Sequence, residues 1–80
     1  MRIDKFLKVA RVVKKRSIAK ALADHEKIML NGKYAKPSNV VEIGDVIEVI
    51  FGERVLKMKV ANILDNPKKV DSTTMIEIIE

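Results

Sequence analysis

Eight cations punctuate the start of the chain: Arg2, Lys5, Lys8, Arg11, Lys14, Lys15, Arg16 and Lys20. Guanidinium and ammonium groups at this density bind anions, and their spacing indicates how. At about 100° per residue on a helix, Lys5 and Lys8 fall opposite an apolar stripe, with Arg2 beside them. Lys14, Lys15 and Arg16 sit where a turn between two helices is expected, so their long side chains can converge. Arg16 stands immediately before the second helix. The free backbone N–H groups and positive dipole end of that helix add to the guanidinium to form a corner for a phosphate. An ordinary solvated helix face uses the same residue types but mixes both signs. Here residues 1–40 hold eleven basic and three acidic side chains, net +8, whereas residues 41–80 hold five basic and eight acidic ones, net −3. A polyanion drawn to this protein should meet the first half.

Other chemistries have little to stand on. The chain has 80 residues, no cysteine and a single histidine, His25. A lone histidine without thiolates makes no zinc site, and His25 reads as a surface or cap residue. Ser17 has no base in view and reads as a helix cap. The carboxylates are scattered over turns and strand faces rather than paired for acid–base work. The glycines read as turn residues, and none belongs to a phosphate-cradling motif. No catalytic residue, metal, cofactor or small-molecule substrate is expected. No apolar run approaches the roughly 18 residues of a membrane span, and no continuous apolar stretch follows the basic start as an export signal requires. A cytoplasmic protein without a membrane partner is the expectation. The length predicts one domain over residues 1–80 with a thin core.

The elements that must hold the cations follow from periodicity. Ile3, Phe6, Leu7 and Ala10 recur at the spacing of one helix face, which predicts a first helix over residues 4–12 with Asp4 as its cap or as a charge favouring its positive end. Ser17 as N-cap predicts a second helix over Ile18 to Asp24, whose small residues Ala19, Ala21 and Ala23 allow close packing. Ile28–Leu30 reads as a strand. Asn31–Gly32 is the strongest short hairpin signal, because both residues tolerate positive φ. Lys33–Ala35 returns as a second strand. Lys36–Pro37–Ser38–Asn39 is a loop, Val46–Phe51 a strand after a Gly44 turn, and Arg54–Ala61 an alternating strand after Gly52. Asn66–Pro67–Lys68–Lys69 is a loop before a last strand over Met75–Ile79. Phe6 and Phe51 are assigned to the core, and Tyr34 is left partly exposed. Helices followed by strands predict an α+β fold: a helical pair packed on one side of a small, twisted, mainly antiparallel sheet.

On charge alone DNA is an eligible ligand. The second helix is a poor reader of base edges, however, since Lys20 is its one long basic side chain, and a basic turn suits the contour of folded RNA better.

The residues also resemble a known family. Arg2-Ile3-Asp4-Lys5-Phe6-Leu7, Arg11, Lys15-Arg16-Ser17 with Ala19 and Ala23, Ile28-Met29-Leu30-Asn31-Gly32, Lys36-Pro37-Ser38 and Gly44-Asp45-Val46-Ile47-Glu48-Val49 form, in that order, a set similar to the S-four (αL) RNA-binding domain. The resemblance covers about residues 1–51. It implies that the two helices and their turn form the nucleic-acid face over supporting strands. Carried over by position, Arg2, Lys5, Arg11, Lys15 and Arg16 would contact RNA phosphates, with Lys14, Lys20 and Lys36 as secondary contacts.

The compact length, Arg2 directly after Met1 and the ending near Met75-Ile76-Glu77-Ile78-Ile79 look like the stand-alone RqcP/YabO group of that family. This implies a monomer on stalled large ribosomal subunits, bound to ribosomal RNA and peptidyl-site tRNA and aiding an RqcH-like protein that adds alanine tails. A heat-shock-type ribosome-binding relative is the near alternative. A protein adaptor whose basic half meets an acidic partner, and a detached targeting domain for an RNA-modifying enzyme, are the other two readings. One departure stands out. The family commonly has glycine after the second helix, and this chain has Glu26. A left-handed cap there is strained, or the turn differs.

Overall fold

In a computed structural model, which describes residues 1–79, the chain forms α1 (Ile3–Val9), α2 (Arg16–Asp24), β1 (Ile28–Leu30), β2 (Lys33–Tyr34), β3 (Val46–Phe51), β4 (Arg54–Val60), α3 (Lys69–Ser72) and β5 (Ile76–Ile79). The five strands make one sheet in the order β2-β1-β3-β4-β5, antiparallel throughout. The expected α+β architecture, a helical pair on a small antiparallel sheet, is the one observed. None of the described helices is long and apolar enough to cross a membrane.

The core lies between the helical pair and one sheet face. Ile3, Phe6 and Leu7 of α1 are fully buried, with Ile47, Val49, Met58 and Val60 from the central strands and Met75 ahead of β5. Each such side chain contributes about 1.5–3 kcal/mol by leaving water. In β4 the alternation holds: Met58 and Val60 are buried, and Val55, Lys57 and Lys59 are exposed. The register sets Glu48 opposite Lys57 and Lys59 opposite Glu77, so the outer face carries cross-strand pairs of opposite charge. Phe51, expected in the core, is exposed; it ends β3 beside the Gly52 turn, past the reach of the buried cluster.

Strand ends shift by one residue at Ala35, Ala61 and Met75, and three larger differences from the sequence reading stand out. The first helix stops at Val9 rather than residue 12, because Arg11 adopts φ 62. The Arg11 N–H then donates to the Lys8 carbonyl at 3.0 Å and the Val12 N–H to the Leu7 carbonyl at 2.9 Å, the paired bonds of a Schellman motif. The second helix starts at Arg16. Its N-cap is Lys15, and Ser17 lies inside the first turn, so the expected serine cap is absent. The short helix α3 falls where the sequence offered only a loop running toward the last strand.

The doubt at Glu26 resolves as the strained alternative. Glu26 has φ 58. Its N–H donates to the Ala23 carbonyl at 3.1 Å, and the Lys27 N–H donates to Leu22 at 2.8 Å. Both helices thus end on a left-handed residue bearing a side chain, at a cost of about 1 kcal/mol each relative to glycine. Asn31 and Gly32, with φ 52 and 83, form the expected tight hairpin turn. The Asn31 side chain also accepts from the Val46 N–H at 2.8 Å and donates to Asp45 at 3.1 Å, tying that hairpin to the start of β3.

The N-terminus is held like an extra strand. Arg2 forms a bridge with Val40, the Ile3 N–H donates to the Asn39 carbonyl at 2.7 Å, and the Val41 N–H donates to the Met1 carbonyl at 2.9 Å. Arg2 is therefore fixed at its backbone, which an N-terminal residue rarely is.

Replacing Glu26 with glycine removes the left-handed strain. Glu26→Gly is expected to raise stability by about 1 kcal/mol and Tm by roughly 4–8 °C for a chain of this size. Thermal unfolding followed by circular dichroism checks this, and an unchanged or lower Tm contradicts a strained cap.

Candidate nucleic-acid interface

The site is organised by an acid. Asp4, read from sequence as a helix cap, sits in the first turn of α1 with its side chain only 3% exposed. One carboxylate oxygen accepts from the Lys5 N–H at 2.8 Å. The other accepts from Arg2 Nη2 at 3.1 Å and forms an ion pair with Arg16 Nε at 3.3 Å. Arg2 precedes α1 and Arg16 opens α2, so one buried carboxylate joins the starts of both helices. The two arginine side chains are nearly half exposed, at 47% and 46%. Two guanidiniums share one negative charge, leaving a net positive charge at the joint. Arg16 reaches Asp4 through Nε, which keeps its Nη pair free to fork onto an anion.

Burial alone would push the Asp4 pKa up. The contact with Arg16, the hydrogen bond from the Lys5 N–H and the charges of Arg16 and Arg2 outweigh it and hold the carboxyl below its ordinary value of 3.8. Asp4 is therefore ionised whenever the protein is near neutral pH.

On one side of this joint runs a groove along α1. One stretch is lined by Lys8, Arg11 and Lys14 with Asn66 and Pro67, and the next by Lys5, Lys8 and Arg16 with Asp65 and Asn66. Lys8, Val9 and Asn66 are common to both, so the two stretches adjoin. Its one acid, Asp65, lies 3.4 Å from Lys5 Nζ and is 85% exposed. A surface pair of that kind holds with at most about 1 kcal/mol and yields readily to a phosphate. On the other side of the joint a hollow collects Arg2, Lys20 and Lys36 with Tyr34. Lys15 caps α2 outside both depressions, and the first turn of that helix has no side-chain cap.

Of the eight cations expected at the site, the structure gathers Lys5, Arg11, Lys14 and Arg16 in the groove and Arg2, Lys20 and Lys36 in the hollow, with Lys15 between the helices. The set divides between two depressions on either side of Asp4; the carboxylate that Arg2 and Arg16 share comes from the basic half, and Lys5 is paired with Asp65 of the acidic half. Sequence reasoning left three participants out. Lys8, part of the basic series but outside the expected contact set, lies at the middle of the groove. Asn66 and Pro67 form its far wall from a loop with no local signal for that role. The joint at Asp4 had one clue, an acid set among many bases. Among the described residues no group of three or more His, Asp or Glu side chains is placed to hold a metal ion.

The S4 domain profile matches residues 1–47, which include α1, α2 and the first hairpin. The chain belongs to the S4 domain family. Within that family it is similar to the protein of Streptococcus pneumoniae named RQC P-site tRNA stabilizing factor, 44% identical over 79 residues, covering 99% of this chain and 90% of the relative. The Bacillus subtilis protein of the same name is 41% identical, over 100% of this chain and 93% of its own. In three dimensions this S4 chain resembles Heat Shock Protein 15 of Vibrio cholerae, solved as a trimer, with a TM-score of 0.90 and 31% identity, covering 99% of this chain and 81% of that one.

Asp4→Asn tests the joint. Asparagine can still accept from the Lys5 N–H but cannot neutralise two guanidiniums, so stability at pH 7 is expected to fall by about 1–3 kcal/mol, solvent on the arginines holding it below the cost of a fully buried pair. The folded pKa of Asp4 is lowered, so its contribution is complete above the ordinary carboxylate value and is lost as pH drops through the lower folded one. Urea unfolding should therefore show a gap between wild type and variant that closes in acid; a gap independent of pH contradicts the ion-pair origin.

Proposed function

We propose that this chain is a non-catalytic RNA-binding protein of ribosome-associated quality control, which holds peptidyl-site tRNA on stalled large ribosomal subunits. The observation that carries this reading is the arginine pair on buried Asp4, which fixes two half-exposed guanidiniums beside a groove holding Lys5, Lys8, Arg11 and Lys14. The arrangement is rigid where it must be selective and cationic where a backbone of phosphates passes. The near full-length relatives named RQC P-site tRNA stabilizing factor support tRNA as the ligand. Large-subunit ribosomal RNA is the second ligand proposed, reached by the same set: Arg2, Lys5, Arg11, Lys14, Lys15, Arg16, Lys20 and Lys36. An RqcH-like protein that adds alanine tails is the proposed protein partner. The chain acts in the cytoplasm as a monomeric single domain over residues 1–80.

A second reading is a heat-shock-type factor that recycles stalled large subunits, favoured by the close structural likeness to Heat Shock Protein 15. Coverage favours the first reading. The chain spans only 50% of the Haemophilus influenzae Heat shock protein 15 homolog, against 90% and 93% of the Streptococcus pneumoniae and Bacillus subtilis tRNA-stabilizing factors.

Phosphate binding through about five to seven cations sets a steep salt dependence, with log affinity falling against log salt at a slope of roughly −4 to −6. Arg16→Ala is expected to weaken tRNA binding and flatten the slope by about one. Filter binding at graded salt measures both, and a flat response rules out phosphate contacts as the basis of binding. Tagged protein should also sediment with large subunits that carry tRNA and should leave them after nuclease treatment.

A further inference from the structure

The hollow beside Arg2 differs from the groove on the far side of Asp4. One wall is the C-terminal turn of α2, with Asp24 and Glu26. The other is β2 and its loop, with Tyr34, Lys36 and Pro37. Ala35, at 3% exposure, closes the floor. Tyr34 is 61% exposed although it lies in a strand paired to β1, where an aromatic ring of that size ordinarily finds cover. Both walls are fixed. The Ala35 N–H donates to the Ile28 carbonyl at 2.9 Å, Lys36 and Asn39 exchange bonds at 2.7 and 3.0 Å, and Glu26 is locked in its left-handed cap. The space between is about 540 Å³.

Its charges are mixed in a telling way. Arg2, Lys20 and Lys36 offer phosphate contacts, while Asp24 and Glu26 repel any run of phosphates laid across the hollow. A single nucleotide satisfies both. Its base stacks on Tyr34 with Pro37 as a second apolar surface, its N–H donors meet the carboxylates, and its phosphate meets a lysine or the arginine.

We infer that this hollow receives one unpaired nucleobase stacked on Tyr34, so that the protein reads a looped-out nucleotide next to the helical RNA whose phosphates lie in the groove. The inference rests on the proposal that an RNA is the ligand and adds to it a preference for a stem with an unpaired purine over a plain duplex.

Tyr34 is the sole tyrosine and the chain has no tryptophan, so its emission reports on this hollow alone. The probes are a stem-loop RNA with purines in its loop and a blunt duplex carrying the same number of phosphates. The stem-loop should quench Tyr34 emission saturably and the duplex should not. Tyr34→Ala, at an exposed position, should lose about fivefold to a hundredfold in affinity for the stem-loop while leaving the duplex unchanged. Tyr34→Phe should keep the preference. Equal weakening of both RNAs, no weakening of either, or unquenched tyrosine at saturation overturns the stacking site while leaving phosphate binding intact. If neither RNA binds at low salt, the RNA reading itself falls and the stacking site with it.

Discussion

One buried carboxylate governs the geometry of this protein. Asp4 is inside, and a carboxylate inside must be paired or neutral. It is paired twice, with Arg2 from before α1 and Arg16 from the first turn of α2. These two ion pairs join the start of the second helix to the start of the first. They also bring together two like charges that would otherwise separate. A cationic surface assembled from flexible side chains pays entropy when a ligand orders it. Here part of that ordering is complete before any ligand arrives.

Backbone constraints reinforce the joint. The clip between Met1–Ile3 and Asn39–Val41 holds the arginine at position 2 by its main chain, and the two Schellman motifs stop both helices abruptly. The turn from Ala10 to Lys15 stays short, and Val13 is drawn into the core within it. The cations at 11, 14, 15 and 16 are thereby displayed on a compact corner. The sheet contributes by burying Ile47, Val49, Met58 and Val60 beneath the helices.

Much of this was legible because it depends on local chemistry. The apolar stripe of α1, the alternation in β4 and the Asn31–Gly32 turn each follow from side-chain period or from tolerance of positive φ, and each stands as read. The expected cations fall on and around the two helices, divided between the groove and the hollow, because the helix positions follow from the apolar period. What could not be read depends on distant partners or on strain. Arg11 gives no sign in the sequence that it turns left-handed, so the apolar period alone carries the first helix on to Val12. The ion pair that ties the start of α2 to α1 reaches a residue twelve positions earlier. The Asn66–Pro67 wall meets α1 only through the folded chain, and Phe51 looked like a core residue because its exposure is set by where the helical layer ends.

The outer face of the sheet sets Glu48 against Lys57 and Lys59 against Glu77, while the helical layer carries cations far in excess of its acids. A body with one balanced side and one positive side feels a torque in the field of a polyanion before any contact forms. It is turned to present the helices while still diffusing, over distances of about a Debye length. Collisions that would otherwise be spent on the wrong face become productive, so this lopsidedness acts on the rate of capture as well as on its strength.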